Sequence, residues 1–245
     1  MIAYGYREVI FIKRSQLNGL ILLYALIISI FLTVTYLTSS VTTVVARMIP
    51  AERDHTIVID AGHGGEDGGA TSCSGILESK YNLEIALKLE DMFHLLGYRT
   101  VMIRRTDKSV YTQGETIAEK KISDLRQRVK LVNETDDALL VSIHQNTFSD
   151  GRYSGAQVFY GPKGESSLLA EKVQSAFSEA LNPESNRKAK KADGIFLMQH
   201  IECTGILVEC GFISNEQEEA ALRNPDYQKK ICCVIAATVG SFLTK

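Results

Sequence analysis

The chain has 245 residues, and its 27 Lys and Arg against 29 Asp and Glu leave a formal charge of −2. That balance excludes the broad positive field with which a protein gathers nucleic acid, so no nucleic-acid partner is expected. No internal repeat or low-complexity run is present, which excludes a solenoid.

The strongest break in composition is N-terminal. From Ser15 to Ala46 there is no Asp, Glu, Lys or Arg, and Leu20 to Leu37 is an 18-residue run dominated by Leu, Ile, Val, Phe and Tyr. A helix of about 20 apolar residues matches the hydrocarbon thickness of a bilayer. Residues 18–40 are therefore predicted to be a transmembrane signal-anchor or a signal peptide. Arg7, Lys13 and Arg14 against the lone Glu8 keep residues 1–17 cytoplasmic by the positive-inside bias. The rest of the chain is then extracytoplasmic, either membrane-anchored or secreted. Val44-Val45-Ala46 matches a cleavage site only loosely, and the apolar run exceeds the roughly 7–15 residues of a signal-peptide core. Residues 41–55, with Pro50 and mixed charges, read as a linker.

Residues 56–245 alternate strand-like and helix-like patterns, which predicts a single α/β domain: a mainly parallel central sheet flanked by helices. Ile57 to Asp60 is a buried-type strand that runs into a loop rich in glycine. Leu83, Ala86, Leu87, Leu89, Met92, Phe93 and Leu96 recur at helical spacing over 78–96, with Gly97 as the stop. A strand over 98–103 follows, then a polar surface loop over 104–122 and a helix over 125–133. Further strands are predicted over 138–143, 155–160 and 205–208, and helices over 166–181, 215–223 and 227–243. Five cysteines, an odd number without a CxxC pair, argue against a disulfide framework or a zinc knuckle.

Three apolar strands end near chemically active side chains: Thr56–Ala61 before His63, Ala138–Ile143 before His144, and Ile206–Val208 before Glu209. Strand C-terminal ends in an open α/β sheet gather on one edge, where such folds bind ligands. Glu78 opens the first long helix 15 positions after His63 and returns the chain to the same edge. An acid at a helix start is also what the helix dipole favours, so its spacing alone does not make it a ligand. Two histidines and one glutamate are nonetheless a catalytic zinc set with a position left for water, and a second glutamate can serve as base. The glycine loop lacks the Gly-Lys-Ser/Thr ending of a phosphate-binding loop.

The ordered strings Asp60-Ala-Gly-His63-Gly-Gly, Glu78, Arg104-Arg105-Thr106-Asp107, Ser142-Ile-His144-Gln-Asn146 and Val208-Glu209-Cys-Gly211-Phe212-Ile-Ser214-Asn215 resemble the zinc-dependent N-acetylmuramoyl-L-alanine amidases. The resemblance covers Thr56 to Lys245 and is strongest to the spore-cortex, germination-associated type. It implies zinc on His63, Glu78 and His144, Glu209 as general acid/base, and peptidoglycan as substrate. It implies hydrolysis of the amide between the lactyl group of muramic acid and L-alanine, and leaves room for a protein activator. Two alternatives stay open: an inactive wall-binding module, and a zinc peptidase acting within the stem peptide. Gln145 and the proline-free Cys203-Thr204-Gly205 depart from the family pattern, Gln145 at the expected cleft wall. Arg105 reads as a salt-bridge residue, Asn146 as a turn residue, and the basic cluster Arg187, Lys188, Lys190 and Lys191 as a solvated loop or an overhang of the cleft.

Overall fold

A computed structural model describes residues 14–48 and 53–244. The expectations for residues 1–13 and 49–52, including part of the linker, lie outside the described residues. The chain divides into two units, Met1–Pro50 and Ala51–Lys245. In the first, helix α1 runs from Arg14 to Met48. Its described side chains, those of residues 18, 19 and 21–36, are all exposed. Thr33 donates its hydroxyl hydrogen to the Ser29 carbonyl at 2.8 Å, so this polar side chain is satisfied within the helix. Judged on the described residues, no helix is long and apolar enough to cross a membrane.

The second unit carries the elements β1 (Thr56–Ala61), α2 (Glu78–Leu95), β2 (Arg99–Met102), α3 (Ile117–Asn133), β3 (Ala138–Asn146), β4 (Gln157–Tyr160), α4 (Ser166–Ala180), β5 (Lys190–Lys191), α5 (Phe196–His200), β6 (Thr204–Phe212), α6 (Glu216–Leu222) and α7 (Pro225–Leu243). The strands form one sheet in the order β2-β1-β3-β6-β4-β5. Pairings of β1 with β2, β1 with β3, β3 with β6 and β4 with β5 are parallel, whereas β4 runs antiparallel to β6. The sheet is therefore mixed. The sequence reading missed β5 and α5, which are too short to show a period.

Side chains alternate across each strand, and the sheet is covered on both faces. Ile57 and Ile59 of β1, Leu139 and Val141 of β3, and Ile206 and Val208 of β6 pack with α2, α4 and α7. Val58, Leu140 and Leu207, one residue out of phase, pack with Val132 of α3 and with Leu197 and Met198 of α5. Burial on both sides explains why β1 reads as an unbroken apolar run. It also means that Asp60, Ser142, His144 and Glu209, which continue the second parity, emerge on the α3 and α5 side.

Gly97 ends α2 as expected, at φ 82°, with its N–H on the His94 carbonyl and the Tyr98 N–H on Phe93. The surface loop predicted over 104–122 is shorter than expected, because α3 starts at Ile117. The reason is a capping box: Thr116 accepts from the Glu119 N–H while the Glu119 carboxylate accepts from the Thr116 N–H. The early start carries Lys121, Asp124, Leu125 and Arg128, spaced as one helical face, onto the sheet's ligand edge. All five cysteines are free thiols. Thr116→Ala should lower stability by about 1 kcal/mol in urea unfolding, and a loss below about 0.3 kcal/mol would contradict this cap.

Candidate metal centre and cleft

The centre begins where β1 ends. His63 follows Gly62 in a left-handed conformation, φ 61°, which is uncommon without glycine and carries roughly 1–2 kcal/mol of strain. β3 lies beside β1, and its His144 imidazole packs directly over Gly62. A Cβ added to Gly62 would sit 2.2 Å from His144 Nε2, so only glycine leaves room for the ring. Gly69, at φ +69°, plays the same part for the other two groups: its Cβ would meet Glu78 Oε2 at 2.6 Å and His63 Cδ2 at 2.8 Å.

Glu78, 4% exposed at the start of α2, has both oxygens engaged. Oε1 lies 3.0 Å from His144 Nδ1 and accepts from Asn82 Nδ2 and the Gln145 N–H, each at 3.2 Å. Oε2 accepts from the Ala70 N–H at 3.1 Å and lies 3.2 Å from His63 Nε2. Burial raises its pKa, but the two histidines outweigh burial and hold the carboxyl well below the usual carboxylate range. On His63 the opposite holds. Burial depresses the imidazole, yet Asp67 and Glu78 push it up to about 9. Asp67 Oδ2 is 3.0 Å from His63 Nδ1 without being aligned for a hydrogen bond, and Lys121 reaches the same oxygen at 3.3 Å.

One donor atom from each of His63, Glu78 and His144 lies within 4.8 Å of the others. The 3.2 Å between His63 Nε2 and Glu78 Oε2 is close to the roughly 3.3 Å edge of a tetrahedron with zinc–ligand distances of about 2.0–2.1 Å. Two imidazoles and a carboxylate are also the donor chemistry of a catalytic zinc site. The residues present therefore fit zinc.

Glu209 is the register partner of His144 across β3 and β6. Its Oε2 is buried and has no hydrogen-bond partner. Burial pushes its pKa up to about 7, with the two histidines pulling down and Glu78 pushing up. Both His144 and Glu209 lie within their strands, not just past them, because β3 and β6 run on to Asn146 and Phe212 with a bulge between.

His63, His144 and Glu209 line a cleft of about 230 Å³ whose lining is split by chemistry, while Glu78 lies buried behind the two imidazoles. Asp60, Asp67, Lys121, Asp124 and Arg128 make one wall, and Leu125, Ile195, Phe196, Leu197 and Leu207 the apolar remainder. None of Arg187, Lys188, Lys190 and Lys191 lines it. Lys190 and Lys191 form β5 at the far edge of the sheet, and Arg187 lies over the Phe212 ring at 4.9 Å. Gln145 is not in the cleft wall either: it is 3% exposed and donates to Asn82 Oδ1 at 3.2 Å. Arg105 pairs bidentately with Glu90 at 2.6 and 2.7 Å, as the salt-bridge reading holds. Asn146 pairs with Phe212 in the strand ladder instead of turning.

Sequence reasoning missed Asp60, Asp67, Asn82 and Arg128. Asp60 alone left a signal, as an acid inside a buried-type strand where an unpaired charge is costly.

Two outcomes follow from this geometry. Gly62→Ala should keep the fold but weaken zinc binding at least about tenfold, read by chelator competition; unchanged affinity would refute the packing argument. Glu209 takes up a proton more readily folded than unfolded, so it lowers stability as pH rises from about 4.5 to about 7. Metal-free Glu209→Gln should match the wild type near pH 4.5 and exceed it near pH 8, by at most about 3 kcal/mol. Equal stability at both pH values would count against a buried, unpartnered carboxylate.

The family description N-acetylmuramoyl-L-alanine amidase matches residues 57–241. The germination-specific N-acetylmuramoyl-L-alanine amidase of Bacillus subtilis is 37% identical over 191 residues, covering 77% of this chain and 80% of that one. The CwlD amidase from Clostridioides difficile, solved in complex with the GerS lipoprotein, superposes with a TM-score of 0.75 at 33% identity, over 78% of this chain and 99% of that one. An N-acetylmuramoyl-L-alanine amidase from Clostridium difficile 630 superposes with a TM-score of 0.67 at 28% identity, over 78% and 97%. The sheet that carries the cleft, the residues on its edge and these relatives converge on one assignment: the chain belongs to the N-acetylmuramoyl-L-alanine amidase family.

Proposed function

We propose that this peptidoglycan amidase works with zinc held by His63, Glu78 and His144, and with Glu209 as its general acid/base. The observation that carries the reading is the Glu209 carboxyl, buried, lacking a partner at Oε2 and in register with His144. Held by these three residues, zinc would supply Lewis-acid polarisation of the scissile carbonyl and a more acidic water. Glu209 takes the proton from the attacking water at Oε2 and passes it to the departing L-alanine nitrogen. In the metal-free protein burial already raises the pKa of this carboxyl, which favours proton uptake there. Ile195, Phe196 and Leu197 give the cleft an apolar lining for substrate, and Lys121 lines it 3.3 Å from Asp67.

The germination-specific relative supports placement in spore-cortex or cell-wall processing, which is extracytoplasmic. The uncharged run of residues 20–37, preceded by basic residues, supports an N-terminal membrane anchor. The relative solved with a lipoprotein supports a protein partner for this chain too.

Incubating the full chain and its Glu209→Gln variant with purified peptidoglycan tests the assignment. The wild type should release intact stem peptides and leave free muramic lactyl carboxyls, seen by mass spectrometry. The variant should bind zinc with turnover reduced at least about a hundredfold. Cleavage within the stems would indicate a peptidase, no cleavage a binding module, and near-normal turnover by the variant would remove Glu209 from its role.

A further inference from the structure

We infer that Arg104 and Arg128 are positioning residues for the metal centre, clamping the backbone carbonyls of Ala61, Gly62 and His63 so that the His63 and Glu78 side chains stand at ligand spacing. The inference rests on the reading of His63, Glu78 and His144 as zinc ligands.

The two guanidinium groups are 4% and 2% exposed and approach the loop from different elements, one just past β2 and the other on α3. Arg104 donates from Nε to the Ala61 carbonyl at 2.7 Å, and from Nη2 to the Gly62 and Ser79 carbonyls, each at 2.9 Å. That single Nη2 joins the residue before His63 to the residue after Glu78. Its remaining bond, from Nη1, reaches the Thr106 carbonyl at 3.1 Å. Arg128 donates from Nη1 to the Ala61 carbonyl at 3.0 Å and to the Asp60 carboxylate, and from Nη2 to the His63 carbonyl at 2.7 Å. Asp124 holds its Nε at 2.6 Å, and Ser142 donates to the other Asp60 oxygen at 2.6 Å.

For Arg104 a purely stabilising role explains these contacts poorly, whereas Arg128 also pairs with Asp60 and Asp124. All four Arg104 hydrogen bonds go to backbone carbonyls, and burying a cation without a direct carboxylate partner costs free energy. What the bonds do accomplish is local. They fix the direction of three consecutive carbonyls through the segment where His63 adopts φ 61°, a conformation that needs outside support in a residue with a Cβ. The same loop packs so closely on Arg104 that a Cβ at Gly64 would lie 2.9 Å from its Nε. Fork geometry is the reason for arginine, since one ammonium cannot span acceptors set this far apart.

The test uses the full-length variants Arg104→Lys and Arg128→Lys, which keep the charge and lose the fork. Each metal-free protein is titrated with zinc against a chromophoric chelator, and separately loaded with cobalt(II) to record its visible ligand-field bands. Both variants should bind zinc at least about tenfold more weakly than the wild type and shift the cobalt spectrum. Ile235→Val, a core change on α7, serves as the control and should leave both readouts unchanged. If Arg128→Lys does not fold, Asp60→Asn with Arg128→Met removes both charges of the buried pair and carries the same measurement. Zinc affinity within about twofold of the wild type with an unaltered cobalt spectrum overturns the inference, as does an equal loss in the control. A wild type that binds no zinc overturns the ligand assignment itself, which is a different result.

Discussion

Glu78 is buried to 4% exposure where the first long helix meets the sheet edge, and a carboxylate in that position has to be satisfied on both oxygens. The surrounding chain does this with two backbone N–H groups, one amide side chain and two imidazoles. The five partners come from three stretches, so the single carboxylate draws the glycine loop, α2 and the end of β3 into one arrangement. Gly62 and Gly69 are the spatial counterpart of that demand, since a methyl group at either would displace a ring or the carboxylate itself.

Strand parity then decides which side of the sheet does chemistry. Packing against α2, α4 and α7 has an apolar centre with buried amides such as Asn82, Gln145 and Gln174 bonded within it, while the α3 and α5 face collects Asp60, Ser142, His144 and Glu209 in successive, laterally paired positions. These groups are not scattered through the core. They lie beneath a helix whose inward row supplies Arg128 and Asp124 in return, so the charges compensate one another locally. Glu209 is the exception. Its Oε2 has no hydrogen-bond partner beside His144, which is the observation on which its proposed proton-transfer role rests.

The sequence carried much of this in its local patterns. The strand over 56–61, the helix starting at Glu78 with its glycine stop, and the strand leading to His144 are legible because period and end signals agree. His63, Glu78, His144 and Glu209 are legible because three strand ends in a βα alternation share an edge, and their ordered motifs match one family. The antiparallel β4 was not legible, since four residues of alternating pattern look the same in either direction. Nor was the early start of α3: its opening residues mix charged and apolar side chains without a clear period, and the capping box lies inside what reads as loop.

What the amino-acid order determined alone was most of the elements and the motifs of one family, because periodicity, glycine placement and strand ends are local properties of the chain. Which groups face one another was decided only by tertiary structure. Arg128 is 65 residues from His63 and looks like any arginine on a charged helix, yet it reaches the His63 carbonyl. Gln145 is buried and Asn146 half-buried beside an irregularity in the β3–β6 ladder, and Lys190 and Lys191 sit on the edge strand beyond β4. Long-range register and helix placement are collective results of packing the whole domain, so no window of neighbouring residues contains them.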